Sequence, residues 1–406
     1  MSDSLFDLYS SEFADIDFEP RLIRNERDAE LLGLLREERE STLSAYAQKS
    51  SESRGRIRYE EPAIIRSCYE RDMGRIIFSQ AFRRLRHKTQ VFFNPVNDHI
   101  CSRIEHVIYV NYISTIIGRA LNLNIELIQA IAMGHDIGHA PFGHTGERAL
   151  NKCIKSVDPK LFFEHEVHSL RVIDVLEERR PGQNGLNLTF EVRDGIVSHC
   201  GETYDEHSLA PKRDKTEAEV SAKPEKDRTA PATLEGCVVR FADKIAYVGR
   251  DVEDARRAGI IGGSDFLPPE VRNRLGETNS ETINTLVGDL IHCSINSDRI
   301  TMSEGNFKAM NEFLTKNFEE IYSAPKIKTY EKTIYILVEA LFDAFMECTE
   351  DLEKYMNSEN EVLRSFAKFA LNHPQPGCPQ VQKVVDYIAG MTDTFANSCF
   401  DALYKV

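Results

Sequence analysis

The 406-residue sequence is poor in turn-forming residues and lacks the marks of membrane-spanning or disulfide-bonded proteins. Glycine (22) and proline (15) make up about 9% of the chain, below the roughly 12% of average proteins, which disfavours a turn-rich β-sandwich or barrel. No run of about 18 apolar residues occurs, so we expect no membrane span. The nine cysteines are scattered without a C-x-x-C pair. This spacing indicates reduced thiols rather than a disulfide framework or a cysteine zinc site.

Positive charge is also scarce relative to negative charge. Lys and Arg number 50 against 65 Asp and Glu, a formal net charge of −15. This balance argues against binding nucleic acid through overall charge, although a local basic pocket for an anionic small molecule remains compatible with it. The start, Met1-Ser2-Asp3-Ser4-Leu5, has neither a basic nor an apolar signal region. We therefore expect no secretory signal and a cytoplasmic protein.

Hydrophobic spacing of the helical type recurs along the chain. Apolar residues stand at i, i+3, i+4, i+7 and i+8 from Ile283 to Ile291, with Glu281 in the first turn of the predicted helix. Residues 331–356 form a long helical candidate, and residues 126–133 are apolar nearly all round, as in a helix at the centre of a core. Alternating strand patterns are few. The sequence predicts an all-α fold.

Composition divides the chain into three regions. Residues 1–60 are charged and weakly periodic, which predicts an arm that packs on the body or on a neighbouring subunit. Residues 61–280 form the predicted core, and residues 281–406 a C-terminal helical region that packs on it. Within the core, residues 211–230 carry eleven charges and a single β-branched aliphatic residue, Val220. Such a segment buries too little apolar surface to offset its ordering entropy, so we expect a mobile loop.

The densest group of chemically active residues lies between His135 and Glu147. Adjacent residues of a regular helix point about 100° apart, so His135 and Asp136 can reach one ion only near a helix end or irregularity. Gly134 and Gly138 flank the pair. A buried charge is costly unless it is paired or ligated, but a lone His-Asp pair is equally consistent with a surface pair or a hydrogen-bonded core histidine.

Residues elsewhere make a metal site the better interpretation. His106 lies on a predicted helix, and Asp243, Tyr247 and Asp251 share one face of another at i, i+4 and i+8. Two histidines and two carboxylates from three helices would neutralise a divalent cation. Imidazole ligands suit Mn, Fe, Co, Ni or Zn better than Mg.

These residues resemble a known family. The order His106, His135-Asp136, Asp243 resembles the HD-domain metal-dependent phosphohydrolases, and further motifs resemble their deoxynucleoside triphosphate (dNTP) triphosphohydrolase branch, the dGTPase and dGTPase-like proteins. The resemblance covers about residues 60 to 396 and is most specific in Pro141-Phe142-Gly143-His144-x-Gly146-Glu147. The other motifs are Arg83-Arg84-Leu85, Lys88-Thr89-Gln90-Val91, Arg103-x-x-His106, Phe163-Glu164-His165, Ala242-Asp243-Lys244-Ile245-Ala246-Tyr247 and Asp386-Tyr387-Ile388-Ala389-Gly390-Met391-Thr392-Asp393.

The resemblance implies an HD-domain helical fold with additional C-terminal helices. It also implies hydrolysis of a dNTP, such as dGTP, to a deoxynucleoside and inorganic triphosphate. One divalent transition metal is expected in the protein, with Mg²⁺ accompanying the substrate. Family members are homo-oligomers and many are activated by a dNTP, so both properties are expected. The expected metal ligands are His106, His135, Asp136 and Asp243.

The resemblance also assigns roles at the active site. His144 becomes the acid–base residue, and Glu147, three residues on and within one helical turn, keeps it charged. His165 matches a further active-site histidine, whereas His168 has no such match. The expected substrate residues are Arg103 and Lys244 for the phosphates, Tyr247 and Asp251 near the sugar, and Gln90 at the 3′-hydroxyl.

Several points stay open in the sequence. After Asp393 the family usually continues Arg-Tyr, whereas this chain has Thr394-Phe395, which leaves the base preference undetermined. His139 has no assigned role. With a second metal it would support an alternative, an HD phosphodiesterase or nucleotidase acting on other phosphoesters. A further alternative is a dNTP-sensing module with slow turnover, against which the complete ligand set argues.

A basic and aromatic segment precedes the first predicted ligand. Arg83, Arg84, Arg86 and Lys88 stand near phenylalanines, a combination that can stack single-stranded DNA bases. The net charge of −15 favours contact with nucleotide phosphates or with another subunit over a DNA role.

Overall fold

The computed structural model describes residues 26–92, 99–180, 182–200, 206–221, 229–262, 266–373 and 377–405, with side chains from residue 30 onward. Helices dominate these residues. The strands among them are four segments of two or three residues, which pair into two antiparallel two-stranded sheets. The predicted all-α class is confirmed. Over the described residues, no helix has both the length and the apolar content needed to cross a membrane.

The helices are numbered here in chain order. They are α1 (Glu26–Ser41), α2 (Cys68–Ile77), α3 (Gln80–Arg84), α4 (Arg103–Ala120), α5 (Ile125–Gly134), α6 (Gly143–Val157), α7 (His165–Arg171), α8 (Phe190–Val197), α9 (Glu217–Ser221), α10 (Leu234–Val248), α11 (Arg250–Arg257), α12 (Pro269–Leu275), α13 (Asn279–Ser294), α14 (Glu304–Asn317), α15 (Pro325–Cys348), α16 (Leu352–Tyr355), α17 (Glu361–Asn372), α18 (Gln380–Ala389) and α19 (Asp393–Tyr404). The strands are β1 (Glu178–Arg180), β2 (Gln183–Asn184), β3 (Ser208–Leu209) and β4 (Ile300–Thr301).

Local signals in the sequence account for several helix ends. Helix α13 begins with a capping box in which Thr278 and Glu281 satisfy each other's backbone N–H groups, as the predicted helix there requires. Helix α5 buries Leu127, Ile128 and Ile131 completely, which confirms the expected central helix. The prediction of one long helix over residues 331–356 is wrong at its C-terminal end. Helix α15 stops at Cys348, because Asp351 caps the separate short helix α16.

Two hydrophobic cores organise the molecule. The first is built from helices α2, α4, α5, α8, α10, α13 and α14. The second joins α6 to the C-terminal helices α15, α17, α18 and α19. Helices α13 and α14 belong to the first core, and among the C-terminal helices the second core begins with α15. The boundary at residue 281 stays a prediction. Helix α6, which carries His144 and Glu147, packs on the second core.

The arm at the beginning of the chain contacts the first core through buried carboxylates. The Gln48 and Asn124 backbone N–H groups each donate to Glu235 Oε1 at 3.0 Å. The Ser53 hydroxyl and the Arg54 backbone N–H donate to Glu191 at 2.8 and 2.7 Å. Residues 48–54 thus pack on the body of the same chain, while residues 1–25 of the predicted arm lie outside the described residues.

The charged segment 211–230 differs from the expected mobile loop wherever the structure describes it. Lys215 is 3% exposed and its Nζ forms an ion pair with Asp194 at 2.6 Å. Val220, on α9, is fully buried. The mobile-loop expectation is therefore wrong for residues 211–221, because their charges find internal partners that composition does not show. Residues 222–228 lie outside the described residues.

Candidate metal centre and adjoining histidine cluster

The His135-Asp136 pair lies at the C-terminal end of α5. The helix ends at Gly134, and His135 is its cap. Gly138 then brings the chain against α7, where a Cβ at this position would lie 2.1 Å from the Ser169 backbone nitrogen. Only glycine allows this approach. At this helix end the His135 and Asp136 side chains point to the same side, with His135 Nε2 3.6 Å from Asp136 Oδ2.

The four residues expected to hold the metal lie together. His106 Nε2 is 2.9 Å from Asp243 Oδ1 and 4.0 Å from Asp136 Oδ2. His135 Nε2 is 3.6 Å from Asp136 Oδ2 and 3.9 Å from Asp243 Oδ1. Helices α4 and α10 and the end of α5 supply them from three separate parts of the chain. Their side chains are at most 14% exposed.

The donor set fits a divalent cation. His135 Nδ1 lies 2.7 Å from the Ala132 carbonyl, which can only accept, so Nδ1 carries the proton and Nε2 presents a lone pair. That buried Nε2 has no hydrogen-bond partner among the described residues. Burial alone would raise the pKa of Asp136, but Arg103 and neighbouring histidines hold it well below its usual value. A pair of charged carboxylates with a bare imidazole nitrogen suits a transition metal.

The Arg103 side chain is buried, and its guanidinium is bound by groups of the protein itself. It is 2% exposed, and its guanidinium contacts Asp136 Oδ2 at 2.5 Å. It also donates to the Thr89 and Gln90 carbonyls, each at 3.3 Å. Arg103 therefore orients a predicted metal ligand in this structure. Gln90 holds its own side-chain Oε1 buried without a hydrogen-bond partner in the described part of the chain.

A second cluster adjoins the first. His139, His144, Glu147 and His165 each place one ligand atom within 4.8 Å of the others. Glu147 Oε2 lies 3.2 Å from both His144 Nδ1 and His165 Nδ1. The His139 and His165 rings stack with centroids 4.3 Å apart. The predicted pairing of His144 with Glu147 across one helical turn is present, and Glu147 also joins His165 to it.

Exposure and charge distinguish the members of this second cluster. The His144 side chain is 65% exposed, whereas those of Glu147 and His165 are 13% and 7% exposed. Burial alone would lower the pKa of His165, but Glu166 and Glu147 raise it well above its usual value. The His165 imidazolium in turn helps hold the pKa of Glu147 below its usual value despite burial. His165 Nε2 lies 4.0 Å from Asp136 Oδ1, which links the two clusters.

The remaining residues expected at the substrate lie around the first cluster. The Tyr247 ring centroid is 6.4 Å from that of His106. Asp251 sits on α11, beyond the end of α10, and accepts a hydrogen bond from the Tyr322 hydroxyl. Burial raises the pKa of Asp251 to about 7. Lys244 lines a small cavity with Glu206 and Arg240, and burial lowers its pKa.

Two side chains of the basic and aromatic segment, those of Lys88 and Arg84, form contacts within the chain. Lys88 is 3% exposed, and its Nζ donates to the Ala389 carbonyl at 2.7 Å and to the His139 carbonyl. Arg84 lies 3.5 Å from Glu177. The expectation that this segment faces phosphates or another subunit is therefore wrong for Lys88, which is buried and paired within the chain. For Arg84, whose side chain is 32% exposed, it stays a prediction. Lys88 joins the loop after His139 to helix α18.

His199 and Cys200 also lie beside the two clusters, and neither was predicted from the sequence as a site residue. The His199 ring centroid is 4.9 Å from that of His135 and 5.4 Å from that of His165. Cys200 Sγ is 3.7 Å from His165 Nε2. The signal available in the sequence was a His-Cys pair directly after the apolar end of a helix, but nothing local connects it to residues sixty positions away. His168, by contrast, donates through Nδ1 to the Gly138 carbonyl at 2.8 Å, as a structural residue does.

Comparison with known proteins agrees with this architecture. Residues 103–248 match the HD domain model and residues 300–402 the phosphohydrolase-associated domain model. The chain is thus a metal-dependent phosphohydrolase of the HD-domain class. It is 40% identical over 87% of its length to a deoxyguanosinetriphosphate triphosphohydrolase-like protein of Caldanaerobacter subterraneus, covering 90% of that protein. A relative with the same description from Desulfatibacillum aliphaticivorans is 37% identical over 89% of this chain and 94% of its own. The chain belongs to this family of deoxyguanosinetriphosphate triphosphohydrolase-like proteins.

Proposed function

We propose that the protein hydrolyses a dNTP, dGTP or a similar one, to a deoxynucleoside and inorganic triphosphate. The observation that carries this proposal is the meeting of His106, His135, Asp136 and Asp243 beside an exposed imidazole held by Glu147. The names of the relatives support dGTP as the type of substrate.

In this proposal the four residues of the first cluster hold one divalent transition metal, drawn from Mn, Fe, Co, Ni or Zn. When bound, the metal supplies Lewis acidity at an α-phosphate oxygen and a template for displacement, while Mg²⁺ accompanies the substrate. The bare Nε2 of buried His135 is the lone pair that such a cation would satisfy. Arg103 holds Asp136 in the orientation that presents Asp136 to His106 and His135.

The second cluster moves the proton. Water attacks the α-phosphorus, the bond from phosphorus to the 5′ oxygen breaks, and that oxygen needs a proton. His144 is the suitable donor, because it is exposed to an incoming substrate while Glu147 Oε2, 3.2 Å from its Nδ1, orients the ring. His165, anchored to the same carboxylate, brings a second positive charge between His144 and Asp136.

Residues around the two clusters would bind the nucleotide. Lys244 supplies positive charge near the phosphates, Arg103 adds its charge from behind Asp136, and Tyr247 and Asp251 flank the sugar. The Gln90 side-chain oxygen, buried without a partner in the described residues, is suited to accept a hydrogen bond from a 3′-hydroxyl. A dNTP activator and assembly into a homo-oligomer belong to the same proposal.

The proposal is tested by presenting each dNTP, alone and in pairs, with Mn²⁺, Co²⁺ or Mg²⁺ and separating nucleoside from triphosphate. Pairs are needed because an enzyme that requires an activating dNTP shows no hydrolysis when only its substrate is present. We expect inorganic triphosphate and deoxynucleoside in equal amounts, abolished by His135→Ala and Asp136→Ala. Pyrophosphate as the product, or no product with any pair and metal, would contradict the proposal.

A phosphodiesterase or nucleotidase is the second candidate function. It is favoured by one observation, the proximity of His139 to His144, Glu147 and His165 in a group that can hold a second metal. This candidate predicts hydrolysis of nucleotide monophosphates or cyclic nucleotides and no release of triphosphate. The same panel extended to those substrates separates the two functions.

A further inference from the structure

Three side chains that come together beside the candidate metal centre form a separate set of ligands. One ligand atom each of His165, His199 and Cys200 lies within 4.8 Å of the other two. Tetrahedral Zn–N and Zn–S bonds of about 2.0–2.3 Å put neighbouring ligand atoms roughly 3.3–3.8 Å apart. His165 Nε2 and Cys200 Sγ, at 3.7 Å, already have this separation. Small side-chain movements would bring the third atom into place.

His199 has an unused lone pair at this point. Its Nδ1 lies 2.7 Å from the Ile196 carbonyl, so Nδ1 donates and Nε2 carries the lone pair. The residue is 1% exposed, and Nε2 has no hydrogen-bond partner among the described residues. A buried acceptor left in this state destabilises the folded protein, and a ligand at Nε2 would remove that cost.

His165 is already oriented as metal-binding histidines are. Glu147 and Glu166 lie 3.2 and 3.4 Å from its Nδ1, and its Nε2 faces Cys200 Sγ and, at 4.0 Å, Asp136 Oδ1. A carboxylate behind one imidazole nitrogen fixes the ring and makes the other nitrogen a better ligand.

We propose that His165, His199 and Cys200 form a second cation site, selective for a soft divalent ion such as Zn²⁺ or Cd²⁺, whose occupation stops hydrolysis. Two imidazoles and one sulfur disfavour Mg²⁺ and favour the zinc group. On binding, Cys200 Sγ and His165 Nε2 each release a proton to solvent, and the sulfur–metal and nitrogen–metal bonds form in place of the S–H and N–H bonds. The inhibition rests on the function proposed above, because the ion occupies His165 Nε2, the nitrogen that faces Asp136 and the first cluster. The binding itself does not rest on that function.

Cadmium added to Mn²⁺-loaded protein tests the site. Cadmium–thiolate bonds absorb strongly in the ultraviolet, and the first cluster contains no cysteine, so the absorption reports only a thiol-containing site. We expect a thiolate band that saturates at one Cd²⁺ per chain and disappears in Cys200→Ser. The matched control Cys293→Ser removes another partly buried thiol, on α13, and should keep the band. His199→Gln should weaken Cd²⁺ binding by at least about 10-fold.

Measurements of triphosphate release distinguish a failure of this site from a failure of the proposed function. Cd²⁺ should inhibit triphosphate release in parallel with the band, and Cys200→Ser should resist the same concentration when each protein is compared with its own uninhibited rate. Absence of the band, or its persistence in Cys200→Ser, overturns the site. Equal inhibition of both proteins overturns the inhibitory role. If the band behaves as expected but no dNTP is hydrolysed under any condition, the site stands and the proposed function fails.

Discussion

Helix α10 carries two buried carboxylates with opposite properties. Asp243, midway along the helix, faces His106 and His135, and these lower its pKa despite burial. Glu235, two turns earlier, is fully buried and, within the described part of the chain, accepts hydrogen bonds from backbone N–H groups alone, and burial raises its pKa to about 7. On this helix a buried charge is therefore maintained where side chains of opposite charge converge, and such convergence marks the half that carries the predicted metal ligand.

The predicted site residues are also divided between the two hydrophobic cores. The predicted metal ligands stand on helices of the first core, whereas His144 and Glu147 stand on α6, which packs on the second. The proposed cation site and the proposed proton donor thus lie on helices of different cores. Lys88, bonded to the His139 and Ala389 carbonyls, is one of the contacts that keep the two cores in register.

Asp243→Asn tests the difference between Asp243 and Glu235 on α10, and its expected effect is the largest. The substitution keeps the side chain's size but removes the charge that opposes the cation, so we expect loss of bound metal and a fall in triphosphate release of about 10³-fold or more. Elemental analysis of the purified protein and the product assay measure the two effects. The matched control is Glu235→Gln on the same helix, which should retain the metal. Metal loss in both variants would mean that the two carboxylates do not differ as argued.

His144→Ala should separate the proton donor from the cation. Loss of a general acid costs about 10²–10⁴-fold in kcat, while the metal content should remain that of the wild type because His144 is on the other core. His207→Ala, which removes a partly exposed histidine near Phe307, is the control and should leave kcat unchanged. Unchanged kcat in His144→Ala would remove His144 from the mechanism.

Lys88→Met should weaken the joint between the two cores. It leaves two buried carbonyls without a donor, at about 1–3 kcal/mol each, so the free energy of unfolding should fall by about 2–6 kcal/mol. Urea denaturation measures the change. Lys152→Met removes a half-exposed ion pair with Glu339 and should leave the free energy of unfolding almost unchanged. Equal stability of the two variants would show that Lys88 does not hold the cores together.

Much of the fold follows from the sequence because its signals are local, whereas the four residues of the first cluster were predicted as a set from the resemblance to HD-domain phosphohydrolases. Hydrophobic spacing places α5 and α13, and Gly134 and Gly138 mark the irregularity that lets His135 and Asp136 share one target. His144 and Glu147 are one helical turn apart, so their contact needs no tertiary information.

What the sequence does not show are partnerships across long separations. Lys215 looks like part of a solvated run of charges, yet it is buried against Asp194. Arg103 resembles a phosphate ligand, yet its guanidinium is taken by Asp136. His199 and Cys200 gain their chemistry from His165, more than thirty positions away. Composition and periodicity carry no information on such pairs, because tertiary packing alone decides them.

The smallest expected effect is a pH-dependent one at Glu235. Its pKa of about 7 in the folded protein exceeds the ordinary value of 4.5, so between these two pH values the folded state holds a proton that the unfolded state has released. The contribution of Glu235 to stability is therefore complete below pH 4.5 and falls as pH rises to about 7, by at most about 3 kcal/mol. Glu235→Gln cannot lose this proton, and its amide oxygen can still accept from Gln48 and Asn124.

The difference in unfolding free energy between Glu235→Gln and the wild type should accordingly shift in favour of the variant as pH rises from 4.5 to 7, and stay constant above that. Urea denaturation at a series of pH values measures it, and the half-exposed Glu339→Gln should run parallel to the wild type. A constant difference across the series would mean that Glu235 is charged when folded. The N-terminal half of α10 would then tolerate a buried charge without a counter-charge, and convergence of opposite charges would no longer distinguish the site.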